Sequence, residues 1–166
     1  MPKINELIFD ATKIEHCTLR IAYQIYEHNQ DRDTIYLAGI ANNGVIYAKR
    51  IRTHLEQIAN LTVHLVELNV DKKNPLSNVT SSHDLSELSN QSVVVVDDVL
   101  NTGSTLMYAV KYLLDVPLAQ LNTAVLVNRN HKKYPIKADF KGLSLSTSLN
   151  ENIEVHFSGD IGVYLS

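Results

Sequence analysis

Val93-Val94-Val95-Val96-Asp97-Asp98-Val99-Leu100-Asn101-Thr102-Gly103-Ser104-Thr105 is the stretch that decides the fold. Its consecutive valines predict a strand covered on both faces, as in a parallel sheet. Two carboxylates end the strand. A Thr/Gly turn follows, and residues 104–114 read as a helix. In open α/β sheets ligands bind beyond the carboxyl ends of the strands, so a site is expected here. The first turn of a helix offers unpaired N–H groups and the positive end of its dipole. Gly103 lets a ligand approach the backbone without a side chain in the way. With the hydroxyls of Thr102, Ser104 and Thr105 this makes a phosphate cradle. The lysine of a G-x-x-x-x-G-K-[ST] loop is absent, which excludes that motif. Asp97 and Asp98 stand just before the cradle. Like charges ~6 Å apart repel by roughly 3 kcal/mol at an effective dielectric of ~20, so a divalent metal or vicinal hydroxyls would suit them. Phosphate at one end and hydroxyls at the other describe a sugar phosphate. Acidic pairs also end Walker B strands and ordinary strands; the whole combination is more specific than the pair.

Outward from this stretch, strands alternate with helices. Ile14, Cys17, Ile21 and Ile25 recur at helical spacing, with Asp10 or Thr12 to cap the start. Residues 35–41 read as a buried strand, broken by Asn42-Asn43-Gly44. A helix over 45–60 and a strand over 61–68 follow. Residues 69–91 are polar, and a segment of that length inside a compact domain is usually functional or mobile. Beyond the central helix, 121–127 reads as a strand. Short strand-like pieces are predicted at 136–140, 153–157 and 161–165. The pattern predicts one α/β domain over 1–166, with a mostly parallel sheet flanked by helices.

Composition bounds the rest. The chain has 166 residues, and 15 Lys+Arg against 18 Asp+Glu give a formal charge of −3. That balance argues against strong non-specific nucleic-acid binding, which phosphate neutralisation dominates. Apolar residues make up 45%, enough for a real core. Cys17 is the one cysteine, so no intrachain disulfide forms. The amino-terminal MPKINELIFDATK reads as no signal peptide, and no aliphatic run approaches the ~20 residues of a membrane span. A cytoplasmic protein is expected, with no membrane partner. The histidines at 16, 28, 54, 64, 83, 131 and 156 show no metal-ligand spacing. Cys17 reads as a packing residue on its helix face, and the tyrosines as core and interface fillers.

The 93–105 stretch resembles the 5-phosphoribosyl 1-pyrophosphate (PRPP) motif of type I phosphoribosyltransferases: apolar strand, two acidic residues, two variable residues, then a T-G-x-T-like turn. RIAYQIYEHN (20–29), YLAGIANNGVIYAKRI (36–51), LNTAVLVNRNHKKYPIKADFKG (121–142) and LSTS (145–148) resemble the PyrR type within that family. The likeness runs from about Thr18 to the end, and NRNHKKYPIKADF points most strongly to that branch. PyrR-type proteins couple pyrimidine regulation with uracil phosphoribosyltransferase activity. The resemblance implies a type I fold with a small hood, built from about 69–91 and 128–166. It implies that Asp97 and Asp98 hold the ribose hydroxyls. Val99 and Leu100 fill the motif's variable positions, and Asn101, Thr102, Gly103, Ser104 and Thr105 bind the 5′-phosphate. Ala41, Asn42, Asn43 and Gly44 fall in the pyrophosphate loop that 39–44 matches. Asp71, Lys72 and Lys73 fall in the mobile hood loop, and Arg129 lies near the nucleobase end. Mg²⁺ would travel with PRPP rather than bind directly to the protein. A homo-oligomer, dimer or tetramer, is implied as well.

This chain departs from the pattern at particular positions. Ala41 and Asn43 stand where the branch carries lysine and arginine. The hood loop reads VDKKNP without a Tyr-Arg, and Asn128 replaces an aspartate before Arg129. Backbone N–H groups can still hold an anion. Lys72 and Lys73 can act as point charges, though not bidentately. The departures predict inefficient uracil transfer, with fold and ribose-phosphate binding hardly touched. The expected reaction displaces pyrophosphate from the anomeric carbon through an oxocarbenium-like transition state. Asp98 is the first candidate for proton transfer or charge stabilisation. The rival reading is a non-catalytic nucleotide or PRPP sensor that regulates RNA or a protein partner. The basic run 128–134 could serve RNA, though the net charge makes RNA the less favoured partner, and Lys132 and Lys133 read as solvated.

Overall fold

The computed structural model describes residues 5–166. Residues 1–4, part of the amino-terminal stretch read above for a leader and of the domain range, lie outside it. In chain order the elements are β1 (Glu6–Asp10), α1 (Ala11–Glu27), β2 (Thr34–Ile40), α2 (Asn43–Ile58), β3 (Thr62–Asn69), β4 (Thr80–Ser81), β5 (Ser92–Leu100), α3 (Ser104–Leu113), β6 (Gln120–Arg129), β7 (Phe140–Leu145), β8 (Ile153–His156) and β9 (Gly162–Leu165). A single 3₁₀ turn, Leu85–Leu88, precedes β5.

The main sheet has six strands in the order β4-β3-β2-β5-β6-β7. All pair in parallel except β4, which runs antiparallel to β3. A smaller antiparallel sheet has the order β1-β9-β8. The valines of β5 divide between two cores, as the alternation of a strand requires. Val94 and Val96 pack under α1 and α2, with Ile14, Ile21, Ile51 and Leu55. Val93 and Val95 pack under α3, with Leu106, Ala109 and Leu113. Central β5 is therefore covered on both faces.

This arrangement positions the site. β2 and β5 are neighbours, with Gly39 opposite Val96. Helix α2 leaves β2 toward one face and α3 leaves β5 toward the other. A crevice opens between their amino termini, at the topological switch point where such sheets bind ligands.

The first helix has the predicted cap: Asp10 accepts the Lys13 N–H at 2.9 Å. Several boundaries differ from the expectations. α2 begins at Asn43, two residues earlier than predicted. The polar segment 69–91 is not all loop: β4 pairs with β3, and Leu88 is fully buried in the α3-side core. The strand expected over 136–140 instead begins at Phe140 and runs to Leu145. Residues before it are held as a loop, because the Lys133 and Tyr134 N–H groups both donate to the Thr102 carbonyl, at 2.8 and 3.1 Å. That β7 strand extends the main sheet, although it lies in the range assigned to the hood. Strand β1, which periodicity did not reveal, joins the small sheet from the other end of the chain.

Candidate functional site

Asp97 and Asp98 end up in different surroundings. Asp97 is 4% exposed. Its Oδ1 accepts the Asp98 N–H at 2.9 Å and lies 3.8 Å from Lys72 Nζ. Burial pushes its carboxyl well above the usual carboxylate range; the Asp98 charge adds to this and the Lys72 ammonium opposes it. Asp98 is half-buried. Its Oδ1 accepts the Val99 N–H at 2.8 Å, and its Oδ2 accepts from Asn43 Nδ2 at 2.9 Å. The same Asn43 amide donates to the Val155 carbonyl of β8 at 3.1 Å. Asn43 thus ties the loop after β2, the acidic pair and the small sheet together.

The loop after β5 turns at Gly103, whose φ is +88°, and this residue caps α3. A side chain there would be strained by the backbone, and a Cβ would come 2.6 Å from Ile136 Cγ2. Thr102 Oγ1 accepts the Ser104 N–H at 3.3 Å. A cavity of about 80 Å³ is bordered by Lys72, Asp97 and the run from Val99 to Leu106. Asp97 and the expected residues 99–105 therefore surround one space, Lys72 joins them from the segment after β3, and Asp98 is not among the residues lining it.

The loop after β2 is anchored by the Ala41 N–H, which donates to the Leu68 carbonyl at 2.8 Å. The Ala41–Asn42 peptide is cis. A Cβ on Gly44 would lie 2.6 Å from the Val96 carbonyl oxygen, so α2 starts pressed against β5. The loop itself contains no cation.

Arg129 is 7% exposed at the end of β6. Its Nη1 donates to Asn101 Oδ1 at 3.0 Å, and Nε to Thr147 Oγ1 at 3.0 Å. Its Nη2 donates to Thr147 Oγ1 at 2.7 Å and to the Glu151 carbonyl at 2.8 Å. The guanidinium is spent on internal acceptors. It lines an open cavity of about 480 Å³, shared with Asn101, Thr102, His131, Lys132 and Lys133. The side chain braces the phosphate loop against 147–151. Arg129→Met should leave these acceptors short of a donor and cost about 2–4 kcal/mol. Urea unfolding of the variant would read this as a lower midpoint at unchanged slope.

Cys17 is buried, 3.5 Å from the Gly142 carbonyl, and burial pushes its thiol up. Among the described residues no group of three or more His, Cys, Asp or Glu is placed to hold a metal. No helix of those residues is long and apolar enough to cross a membrane. Asp71 Oδ1 accepts the Lys73 and Asn74 N–H groups at 2.9 and 3.2 Å, closing a tight turn in the segment after β3. Sequence reasoning missed the Asn43 clasp, the Lys72–Asp97 contact and the Ile136 stop. Each joins residues from different loops, and no local pattern signals them.

Comparisons with known proteins give the family and the fold. Residues 6–160 match the model of the phosphoribosyl transferase domain. The chain is 40% identical over 158 residues to a protein of Streptococcus thermophilus named bifunctional protein PyrR, covering 92% of this chain and 90% of that one. A bifunctional protein PyrR of Pediococcus pentosaceus is 37% identical over 158 residues, covering 89% of each chain. Among solved structures, a hypoxanthine-guanine phosphoribosyltransferase of Bacillus anthracis superposes with a TM-score of 0.76 at 16% identity, over 91% of this chain and 88% of that one. A hypoxanthine phosphoribosyltransferase of Staphylococcus aureus gives 0.73 at 18% identity, over 87% and 80%. The structural likenesses establish the fold.

Proposed function

The chain belongs to the phosphoribosyl transferase domain family, in its PyrR-type branch, and from that premise we propose that it transfers the phosphoribosyl group of PRPP to a nucleobase. Uracil is the favoured acceptor, giving UMP and pyrophosphate. The observation that carries this reading is the acidic pair set directly before the Gly103-turned loop, at the switch point between β2 and β5.

The base nitrogen forms a bond to the anomeric carbon as the bond to pyrophosphate breaks. The base nitrogen gives its proton to the Asp98 carboxylate, which returns it to solvent, and pyrophosphate leaves with the electron pair of the broken C–O bond. Asp97 and Asp98 accept the ribose hydroxyls. The N–H groups at the start of α3, with the hydroxyls of Thr102, Ser104 and Thr105, hold the 5′-phosphate. The loop Ala41 to Gly44 faces the pyrophosphate with the backbone donors beyond the Ala41 N–H, which the Leu68 carbonyl holds, and the segment carrying Asp71, Lys72 and Lys73 closes over it. The cavity framed by Arg129 takes the base. Positioning and charge stabilisation do the work, and closure excludes water that would hydrolyse the sugar. Mg²⁺ would come with PRPP as part of the substrate complex, and Asp97 and Asp98 would accept hydrogen bonds from its hydration shell, since Mg²⁺ keeps several waters. A cytoplasmic homo-oligomer, dimer or tetramer, is part of the same reading. The exposed Leu76, Leu114 and Tyr134, grouped round one surface cavity, are in keeping with assembly.

One observation favours a second reading. The loop after β2 lacks a cation, so a sensor that binds nucleotide or PRPP without turning it over also fits, with RNA or a protein as its target. Turnover of PRPP and Mg²⁺ with uracil, hypoxanthine, guanine and adenine separates the two. UMP formation is expected. Calorimetric binding without turnover of any base would select the sensor, and neither binding nor turnover would refute both.

A further inference from the structure

Helix α2 meets the small sheet and the acidic pair along one side. Asn43 stands at its start and Arg50 two turns on, so both side chains leave the same face. Strand β8 is an edge of the small sheet, and carbonyls on its outer side have no ladder partner. Two carbonyls from this edge are taken by α2. Asn43 Nδ2 donates to the Val155 carbonyl at 3.1 Å, and Arg50 Nη2 to the Phe157 carbonyl at 3.0 Å. Arg50 also pairs with Glu15 of α1 at 2.8 Å and lies 5.2 Å from the centre of the Phe157 ring. Tyr47, between them on α2, stacks on Phe157 at 5.6 Å. The small sheet thus has anchors on α2 that do not involve Asn43.

Asn43 does what the other anchors do not. A primary amide has two N–H donors, and its two acceptors here are the Val155 carbonyl and Asp98 Oδ2, the latter at 2.9 Å. Turning the amide over would set its oxygen against both acceptors, so Val155 fixes which way the amide faces. Asp98 in turn receives one bond at each oxygen, from the Val99 N–H at Oδ1 and from Asn43 at Oδ2. Two bonds from separate chain segments fix the plane of the carboxylate, and each oxygen keeps a lone pair for substrate. Among the described residues no basic side chain lies within 4.0 Å of Asp98. The hold is therefore neutral. A cation in its place would favour the ionised carboxylate and weaken it as a proton acceptor.

We propose that Asn43 is a positioning residue for the transfer reaction: it holds the Asp98 carboxylate in the orientation that accepts the base proton, and the Val155 carbonyl holds Asn43 in turn. This inference rests on the reaction proposed above. It gives the loop after β2 a task separate from pyrophosphate binding, at a position where the branch carries arginine.

A double-mutant cycle on kcat tests it, with PRPP, Mg²⁺ and the base that the parent turns over. Labelled base lets slow chains be counted, and melting curves set a temperature at which each chain is folded. Asn43→Ala should lower kcat by about 10–100-fold, the scale of a catalytic group displaced by about 1 Å, and leave the KM for PRPP within about threefold. Asn43→Leu, which fills the space without a donor, should do the same. In an Asp98→Asn chain, Asn43→Ala should change kcat by less than about threefold, because the group it positions is gone. Arg50→Met removes the other side-chain bond to this edge; it should lower the melting temperature and keep kcat within about threefold of the parent. Equal losses from Asn43→Ala in both backgrounds would show that Asn43 acts apart from Asp98, and would overturn the inference. A loss confined to the KM for PRPP would make Asn43 a pyrophosphate ligand instead. Parental kcat in Asn43→Ala, or an equal fall in kcat in Arg50→Met, would also sink it. A parent chain that turned over no base would remove the transfer reaction itself, and the inference with it, before any variant was compared.

Discussion

Asp98→Asn should lower the rate of PRPP turnover by about 10²–10³-fold, the loss typical of one electrostatic group aimed at developing charge, and should cost about 1–3 kcal/mol of stability through one lost acceptor. The substitution is nearly isosteric. The Asn43 amide now donates to Asp98 Oδ2 at 2.9 Å, and the amide oxygen of an asparagine can accept the same bond. The Val99 N–H donates to the other carboxylate oxygen, where the variant places an amide NH2, so one of the two donors loses its acceptor. The charge and one acceptor both disappear, so kcat should fall steeply while the melting temperature drops by only a few degrees.

Asp97→Asn should also cost activity, because its carboxylate is assigned to the ribose. Its effect on stability has the opposite sign to that of an ordinary core substitution. Asp97 is buried beside Asp98, and its carboxyl sits well above the usual range. The folded chain therefore binds more protons than the unfolded chain between the unfolded and folded values. Stability falls as pH rises through that window. Asparagine removes the penalty. Giving up the attraction to half-exposed Lys72 offsets this by only about 0–1 kcal/mol. Asp97→Asn should thus melt a few degrees higher at neutral pH, about 2–4 °C per kcal/mol in a domain of this size. The advantage should shrink toward zero as pH falls to about 4, where the unfolded carboxyl also protonates. Parallel melts from about pH 4 to about pH 8 test the sign. Activity equal to the parent's in both single variants would remove the acidic pair from the mechanism.

These expectations could be framed from sequence because the decisive features are local. The valines of β5, the two aspartates and the Gly103 turn are consecutive, so strand, charge and cradle are read in one window. Composition and alternation then supplied the sheet's neighbours. What could not be read is what the tertiary structure brings together. Glu6–Asp10 is too short to show a period, and it pairs with Gly162–Leu165 from the far end of the chain. Ile136 looks like the start of a strand, yet packs on Gly103. Arg129 looks like a free cation in a basic run, yet its acceptors lie in 147–151 and at Asn101. Asn43 looks like a lost arginine, yet it spans from Asp98 to Val155. In each case the side chain's chemistry was visible and its partner was not.

Gly44→Ala should destabilise the protein by about 1–3 kcal/mol and also damage the site, although helix propensity alone predicts the reverse. Gly44 lies in the first turn of α2, where replacing glycine by alanine would ordinarily gain up to about 1 kcal/mol. Here a Cβ would meet the Val96 carbonyl oxygen at 2.6 Å and Asp97 Cα at 3.2 Å. Both belong to the backbone of the central strand, which is paired on both sides and cannot yield. The start of α2 must retreat instead. That retreat pulls Asn43 from Asp98 and shifts the loop after β2, and a displacement of about 1 Å in such a site can cost 10²-fold in rate. Gly159→Ala is the contrasting variant. A Cβ there meets nothing within 4 Å, so only its φ of +66° resists the change. It should cost about 1–2 kcal/mol through the backbone and leave PRPP turnover intact. A Gly44→Ala chain with parental stability and parental KM for PRPP would show that the packing of α2 on β5 is soft. The close approach of the two loops would then not be what fixes the geometry of the acidic pair.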